Sequence, residues 1–265
     1  MPDYTFETPE PVDLRIRAAT GVITVTAADT TTSTVEVTAI DDDARELAEE
    51  TTVQLDGRQL RIEQPERRHF LGIKRRRVSI TVTVPSGSSL TTKSASARIT
   101  ASGRYSTVDA STASGTVTVD QVDGDVDATC ASGDVTIGSG RAIRAHSASG
   151  RIDIGHATGD VDVKCASAQI RIGVAEGSVR AKAASGDISI DEARAGTISL
   201  SVASGNLKIG VRSGVSAHLD LRSTSGRIRS ELPVEDDAPD DGAPLEIQAR
   251  TTSGNVLVVP AAVRA

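Results

Sequence analysis

The sequence has no tryptophan and few other aromatic residues, with only two tyrosines and two phenylalanines among 265 residues. A core with so few large side chains must be thin and regular, built from Val, Ile, Leu and Ala in many small layers. No apolar run approaches the ~20 residues that a membrane-spanning helix needs, which excludes that class. The first residues show neither the basic region nor the apolar stretch of a secretory signal, so we expect a cytoplasmic protein.

Positive charge is also in deficit, since 36 acidic residues against 29 basic ones leave a net charge of −7. This balance argues against nucleic acid as the partner of the whole chain.

What is present is a repeat. The tripeptide Ala-Ser-Gly and close variants recur nine times, and the first six intervals between them stay within 17 to 19 residues. A period maintained this long is typical of a repeat architecture. The third residues of these tripeptides, called corner residues below, are Ala97, Gly115, Gly133, Gly150, Ala168, Gly186, Gly205, Gly226 and Gly254.

Each repeat contains two short runs of alternating apolar residues. Around Gly133 these are Val126, Ala128 and Cys130 before the corner, and Val135 and Ile137 after it. Such alternation predicts two strands with one buried face, and the corner between them favours glycine at positive φ. Ala97 and Ala168 lack that freedom, so we expect those two corners to be shaped differently.

One repeat of this kind cannot bury its apolar face alone, so successive repeats should stack with hydrogen bonds between neighbouring coils. The sequence therefore predicts an all-β protein, a single-stranded parallel β-helix (β-solenoid) with coils of about 18 residues. A left-handed hexapeptide helix has coils of similar length, but it needs apolar positions every six residues, and the observed spacing breaks that rule.

Two regions are predicted. Residues 1–85 form a β-rich N-terminal cap with one repeat-like coil around Gly21, a strand at 35–39, a short acidic helix at 41–50 and a hairpin across Asp56-Gly57. Residues 86–265 form the solenoid, and an acidic loop is inserted at 231–244.

A basic segment before the strand at 78–84 is the local feature with most functional promise. Six positive charges flank a small apolar tip, which suits insertion into an anionic membrane surface. The alternative is a hairpin loop with solvated arginines. The candidate contact residues are Arg67, Arg68, Phe70, Leu71, Ile73, Lys74, Arg75, Arg76 and Arg77.

Other chemistry is weakly supported. Serine precedes every corner residue, and we expect these hydroxyls to satisfy backbone groups rather than to act as nucleophiles or glycan ligands. Cys130 and Cys165 lie two repeats apart in one inward column, roughly 9.6 Å by the strand spacing and beyond the ~7 Å disulfide limit. They should be buried free thiols, which fits a reducing compartment.

No cofactor and no metal site is expected. The cysteines and histidines lack zinc-ligand spacing, and the histidines are expected to be solvated surface residues. Asp134, Asp160 and Asp187 each follow a turn glycine, but without the tandem turns of calcium-binding β-rolls. A polysaccharide lyase would need a cluster of Asp, Arg or Lys that breaks the repeat, whereas the outward charges here alternate in sign.

The arrangement resembles the bacterial β-strand-repeat family labelled domain of unknown function 4097, whose members are often called adhesin candidates. The resemblance is carried by Leu14-Arg15-Ile16 with Gly21–Val25, by Val78–Val84 with Val-Pro-Ser-Gly at 84–87, and by Ala-Ser-Gly-Asp units such as 131–134. It covers nearly the whole chain and implies a fold, and it carries no catalytic residues.

We therefore expect a non-enzymatic binding or scaffold protein, with an unknown protein partner or an anionic membrane surface as its target. A membrane-peripheral location would follow from the basic segment. The alternatives are an adhesin-like surface module and, as a minor one, a carbohydrate-active enzyme. The oligomeric state is left open.

Overall fold

The structure is a computed structural model that describes residues 3–65, 76–233 and 245–262. The chain divides into two compact units, Met1–Gly133 and Asp134–Ala265, called unit 1 and unit 2 below. Both are built from β-strands that pair mostly in parallel, so the predicted fold class, an all-β parallel β-solenoid, is confirmed. Within the described residues, no helix is long and apolar enough to cross a membrane.

Unit 1 contains a 3-10 turn at Asp42–Ala44 and one short helix, α1, at Arg45–Glu49. Its strands in the described residues are β1 (Asp3–Glu7), β2 (Asp13–Ala28), β3 (Thr32–Ala39), β4 (Thr52–Asp56), β5 (Gln59–Glu63), β6 (Val78–Pro85), β7 (Ser89–Tyr105), β8 (Thr107–Ser114), β9 (Val117–Val122) and β10 (Val126–Ser132).

The coils of unit 1 do not stack in chain order. β2 lies between two coils: β5 and β6 pair with it in parallel on one side, and β7 pairs with it in parallel on the other. Ile23 of β2 is thus in register with both Ile80 and Ile99. From β7 onward the order is sequential, through β8 and β9 to β10.

Antiparallel strands cover the outer edge of the β5–β6 coil. β3 pairs antiparallel with β6, and β1 pairs antiparallel with β3. β4 pairs antiparallel with β5 through a turn in which Gly57 has a φ of +57°, which confirms the hairpin predicted across Asp56-Gly57. The parallel stack therefore ends at a layer of different strand direction.

Unit 2 is built from strands alone in its described residues. They are β11 (Val135–Gly140), β12 (Ile143–Ala157), β13 (Val161–Ala175), β14 (Val179–Ser185), β15 (Ile188–Ala193), β16 (Thr197–Ser204), β17 (Leu207–Val211), β18 (Ala217–Ser225), β19 (Ile228–Ser230), β20 (Leu245–Ser253) and β21 (Val256–Pro260).

The last two coils of unit 2 stack in the reverse of their order along the chain. β20 and β21 pair with β16 and β17 on one side and with β18 and β19 on the other, all in parallel. Simple sequential stacking is therefore wrong at this end, where the coil of β18 and β19 is outermost. One inward position fits this order: Val258 of β21 is fully buried, whereas β19 of the outer coil has Ser230 in register with it.

The inward columns predicted from the repeat are confirmed. Ile152, Ile170 and Ile188 lie in register in successive coils of unit 2 and are fully buried. Burial of such a side chain stabilises the fold by about 1.5–3 kcal/mol, which makes the layered column the main source of stability. A further inward column was not predicted. It lies where the strand after the corner residue ends, a place called the second corner below. It consists of Gly140, Ala157, Ala175, Ala193 and Val211.

The corner glycines are required by the close approach of adjacent coils. Gly133 has a φ of +139°, and a Cβ at this position would lie 1.6 Å from the carbonyl oxygen of Gly115. Ala97 and Ala168 are not at positive φ, since no described non-glycine residue is, and both are buried within uninterrupted strands. The expected difference at these two corners is confirmed.

Candidate functional site

In each unit, the most regular surface feature is a row of exposed alanine–serine pairs at the corners, called the corner strip of that unit below. In unit 2 its serines are in register from coil to coil, as Ser149, Ser167, Ser185, Ser204 and Ser253. Strand spacing places successive members about 4.8 Å apart. The exposed pairs are Ala95–Ser96, Ala113–Ser114 and Ala131–Ser132 in unit 1, and Ala148–Ser149, Ala166–Ser167, Ala184–Ser185 and Ala203–Ser204 in unit 2.

The corner serines do not satisfy backbone groups as predicted. Their side chains are exposed, and among the described residues none of their hydroxyls makes a hydrogen bond within the chain. The inward residue two positions earlier does so instead: Thr112 Oγ1 donates to the Ser114 carbonyl and Ser147 Oγ to the Ser149 carbonyl, both at 3.0 Å. The serine hydroxyls therefore face solvent and are available to a partner.

The acidic and amide side chains that follow the corners hold the backbone of the next coil. Asp187 Oδ1 accepts a hydrogen bond from the Asn206 backbone N–H at 2.7 Å, and Asn206 Oδ1 accepts one from Asn255 at 3.0 Å. Asn255 Oδ1 in turn accepts one from the Arg227 N–H at 2.9 Å. This corner ladder gives the aspartates and asparagines a structural role, and the described residues include no group of three or more potential metal ligands.

The basic segment emerges at a corner of the outermost coil of unit 1. β5 and β6, which flank it, both run parallel with β2, so they are not the two strands of a hairpin as predicted. Arg67, Arg68, Phe70, Leu71, Ile73, Lys74 and Arg75 lie outside the described residues. Arg76 and Arg77 are the two candidate contact residues that the structure places.

Both of these arginines bind carboxylates of unit 1. The Arg77 guanidinium lies 3.1 Å from Asp41 Oδ1, and the Arg77 backbone N–H donates to Asp41 Oδ2 at 3.1 Å. These hydrogen bonds hold the pKa of Asp41 below its usual value. Arg76 lies 3.4 Å from Glu46 Oε2, and its carbonyl accepts a hydrogen bond from Thr20. Two of the six charges therefore anchor the segment instead of standing free.

The outward charges of unit 2 also pair with one another. Arg171 lies 2.8 Å from Asp191 of the next coil, and Arg222 lies 3.0 Å from Asp220 on its own strand. Exposed pairs of this type contribute about 0–1 kcal/mol each, so they stabilise little. Not every outward column alternates in sign, since Lys164 and Lys182 lie in register in successive coils.

His156 is more than a solvated surface residue. Its Nε2 lies 3.1 Å from Glu176 Oε1, which also accepts a hydrogen bond from Arg194 Nη1 at 2.6 Å. The contact with His156, followed by that with Arg194, lowers the pKa of Glu176. This half-exposed group joins three successive coils at the second corner, and its chemistry is that of a stabilising ion pair.

Both cysteines are thiols outside any disulfide, as predicted. Cys130 is buried, and its Sγ lies 3.5 Å from the Gly115 carbonyl oxygen. Cys165 is half-buried rather than buried, and burial raises the pKa of its thiol. A raised pKa keeps the thiol protonated at neutral pH, which makes it a poor nucleophile.

Similar solved structures share very little sequence with this chain. An adhesin candidate from Bacteroides fragilis is 14% identical, with 97% of this chain and 95% of that chain covered and a TM-score of 0.44. An adhesin candidate from Parabacteroides distasonis is 15% identical, with 97% and 96% covered and a TM-score of 0.35. No curated protein matches the chain.

A family model covers nearly the entire solenoid sequence. The model described as Toastrack DUF4097 matches residues 13–259, which begins at β2 and ends within β21. The matched region thus includes the repeat coils of both units together with the antiparallel strands β3 and β4 of unit 1, but not β1. On this match, the chain belongs to the Toastrack DUF4097 family.

Proposed function

We propose that the protein is a non-enzymatic binding scaffold that holds a protein partner along the corner strip. The observation that carries this proposal is the row of exposed serine hydroxyls in register, each beside an exposed alanine except Ser253, which follows Thr252, and none bonded within the described chain. Regularly spaced hydroxyls beside small apolar side chains suit a partner that lies flat and donates or accepts one hydrogen bond per coil.

The charge pattern supports the same proposal. The strip itself carries no charge, and neighbouring outward positions hold paired charges such as Lys164 with Asp162 at 3.6 Å. A partner that contacts the strip alone would therefore meet an uncharged surface. A polysaccharide-cleaving enzyme calls for the opposite arrangement, namely a local cluster of carboxylates and basic groups.

The test is a capture experiment with the full chain as bait and cell extract as the source of partners. Ala166→Arg together with Ala184→Arg places two bulky charges in the strip, and we expect it to abolish retention of proteins that wild type retains specifically. Thr136→Arg with Ser213→Arg adds the same two charges at exposed positions outside the strip and should leave retention unchanged. Equal retention by all three baits would refute the proposal.

The location of this scaffold is proposed to be the cytoplasm, at the inner membrane surface where the basic segment meets anionic lipid. Arg76 binds Glu46 and Arg77 binds Asp41. The membrane contact therefore depends on the remaining basic and apolar residues at 67–75. Purified protein should co-sediment with anionic vesicles at low salt and be released at high salt. Failure to co-sediment would remove the membrane contact and leave the strip proposal standing.

An adhesin-like surface module is the second candidate, because the corner strip would serve a partner outside the cell equally well. Fractionation of native cells separates the two: protein confined to the outer surface would refute the cytoplasmic scaffold.

A further inference from the structure

The outermost coil of unit 2 has an open edge. Among the described residues, β18 pairs only with β20, and β19 pairs only with β21. The inward side chains Leu219 and Leu221 are half-buried, and Ile228 is 46% exposed. Their counterparts in the coil beneath, Ile247, Ala249 and Val256, are at most 1% exposed. One more layer on this edge would complete the burial of the outer coil.

The backbone of β18 offers a regular set of groups to such a layer. The Leu245 N–H donates to the Ser216 carbonyl, which shows that even-numbered residues of this strand point their backbone groups toward β20. In a parallel pair the alternate residues point the other way. The N–H and C=O groups of residues 217, 219, 221 and 223 therefore face outward.

The corner ladder ends at the same coil. Asn255 Oδ1 receives the Arg227 N–H, but an arginine side chain has no acceptor with which to hold a further coil. A further parallel coil would therefore stack here without this hydrogen bond, as the coil of Gln169 does on that of Arg151. A partner that pairs in the antiparallel direction does not need the ladder.

We propose that this edge is the self-association surface of the protein, and that β18 pairs antiparallel with β18 of a second copy around a two-fold axis at Leu221. Two identical edges that meet across a two-fold axis must run antiparallel. With the axis at Leu221, the outward-facing backbone groups of residues 219, 221 and 223 meet their counterparts as hydrogen-bonded pairs.

The side chains favour this register over its neighbours. Asp220 of each copy then lies opposite the partner's Arg222, and Leu221 lies opposite the partner's Leu221. An axis at Asp220 or at Arg222 would instead place two like charges directly opposite, which is destabilising. With the axis at Leu221, the strand is therefore self-complementary in charge and its apolar faces join.

The first test is a cross-link in the full chain. Leu221→Cys places two thiols directly opposite across the axis, within the Cα separation that a disulfide accepts. We expect this variant to form a covalent dimer on mild oxidation. His218→Cys is the matched control, since its copies would lie six residues apart along the pair, roughly 20 Å. Wild type, which keeps Cys130 and Cys165, is the blank. Equal cross-linking of both variants would overturn the proposal.

The second test uses charge reversal and sedimentation equilibrium. Arg222→Asp places two carboxylates opposite each other twice per dimer, and we expect the dissociation constant to rise at least about tenfold. Asp220→Arg combined with Arg222→Asp restores opposite charges and should restore the dimer. Lys182→Asp, the same charge change in the same outward column of an interior coil, should have no effect. A wild-type chain that remains monomeric, with the edge left to another segment or another protein, would overturn the proposal.

Discussion

The outermost coils of the two units are built from the same repeat but finish in different ways. In unit 1, Ile80 of β6 is 1% exposed because β3 covers the outer edge of its coil. In unit 2, Ile228 of β19 is the same residue type at the same place after the corner, and it is 46% exposed. The difference shows that the repeat forms the layers, whereas residues outside the repeat decide whether the last layer is covered.

Covered and open edges also carry different risks. An uncovered edge of a β-sheet is a template for pairing with another strand, and natural proteins usually blunt it. Unit 1 does so with three antiparallel strands, β1, β3 and β4. The described part of unit 2 leaves β18 and β19 bare, which is why we assign the association surface to this end.

The largest expected contrast between the covered coil of unit 1 and the uncovered coil of unit 2 comes from the matched isoleucines. Ile80→Ala removes a fully covered side chain and should lower the free energy of unfolding by about 2–5 kcal/mol. Ile228→Ala should cost less than about 1 kcal/mol, because much of that side chain already contacts water. Denaturant unfolding followed by circular dichroism measures both, since the chain has no tryptophan to report by fluorescence. Equal losses would mean that the two edges are equally covered.

A smaller contrast is expected between two corner glycines of unit 2. A Cβ on Gly254 would lie 2.0 Å from the Gly205 carbonyl oxygen, and one on Gly226 would lie 1.9 Å from that of Gly254. The Gly254 coil is held on both sides, but the Gly226 coil can move outward. Gly254→Ala should therefore cost about 1–3 kcal/mol more than Gly226→Ala, measured by thermal unfolding. A larger loss for Gly226→Ala would contradict the exchanged order of the coils.

The smallest effect is electrostatic and depends on pH. The Arg77 hydrogen bonds lower the pKa of Asp41 in the folded state, so the unfolded chain binds more protons in acid and the contact stabilises unit 1 above the unfolded pKa of about 3.9. That stability is lost as the pH falls through the lower folded pKa. Asp41→Asn should lower the melting temperature slightly at pH 6, and its deficit should disappear in stronger acid.

The same pH dependence of melting can be measured at Asp220, on the uncovered strand β18 of unit 2. Arg222, and to a smaller extent Arg250, lowers the pKa of Asp220 in the same sense. Asp220→Asn should therefore show the same pH dependence of melting in unit 2. If either variant still melted below wild type by the same amount in strong acid, the loss of the carboxylate charge would not be the cause of its lower melting temperature.

The strands and the inward columns could be predicted from the sequence because they depend on local alternation. Val135 and Ile137 identify their face by spacing alone, and every later coil repeats the pattern. The stacking order could not be predicted in the same way, because any coil of this repeat fits on any other. The polar inward residue Ser230, in register with the buried Val258, was the available signal that the coil of β18 and β19 lies outermost.

For the candidate site too, the features set by the local repeat could be predicted, and the contacts between distant residues could not. The alanines and serines of the corner strip belong to the recurring Ala-Ser-Gly tripeptide, so their positions could be read from the sequence, whereas their exposure is seen only in the structure. The contacts of Arg76 with Glu46 and of Arg77 with Asp41 join residues at least 30 positions apart, and no local pattern announces such pairs. The role of the corner serines was misjudged because the choice between Ser149 and Ser147 as the donor depends on corner geometry, not on residue type.

The exchange of the last two coils has a consequence for biosynthesis. Residues 217–230 leave the ribosome before residues 245–260, yet the later stretch lies directly against β16 and β17, and the earlier one lies beyond it. The earlier stretch therefore cannot take its final neighbours until the later one has been synthesised. Interior coils of unit 2 can pack one at a time as they leave the ribosome. The last two coils of unit 2 must instead pack together in a single late step.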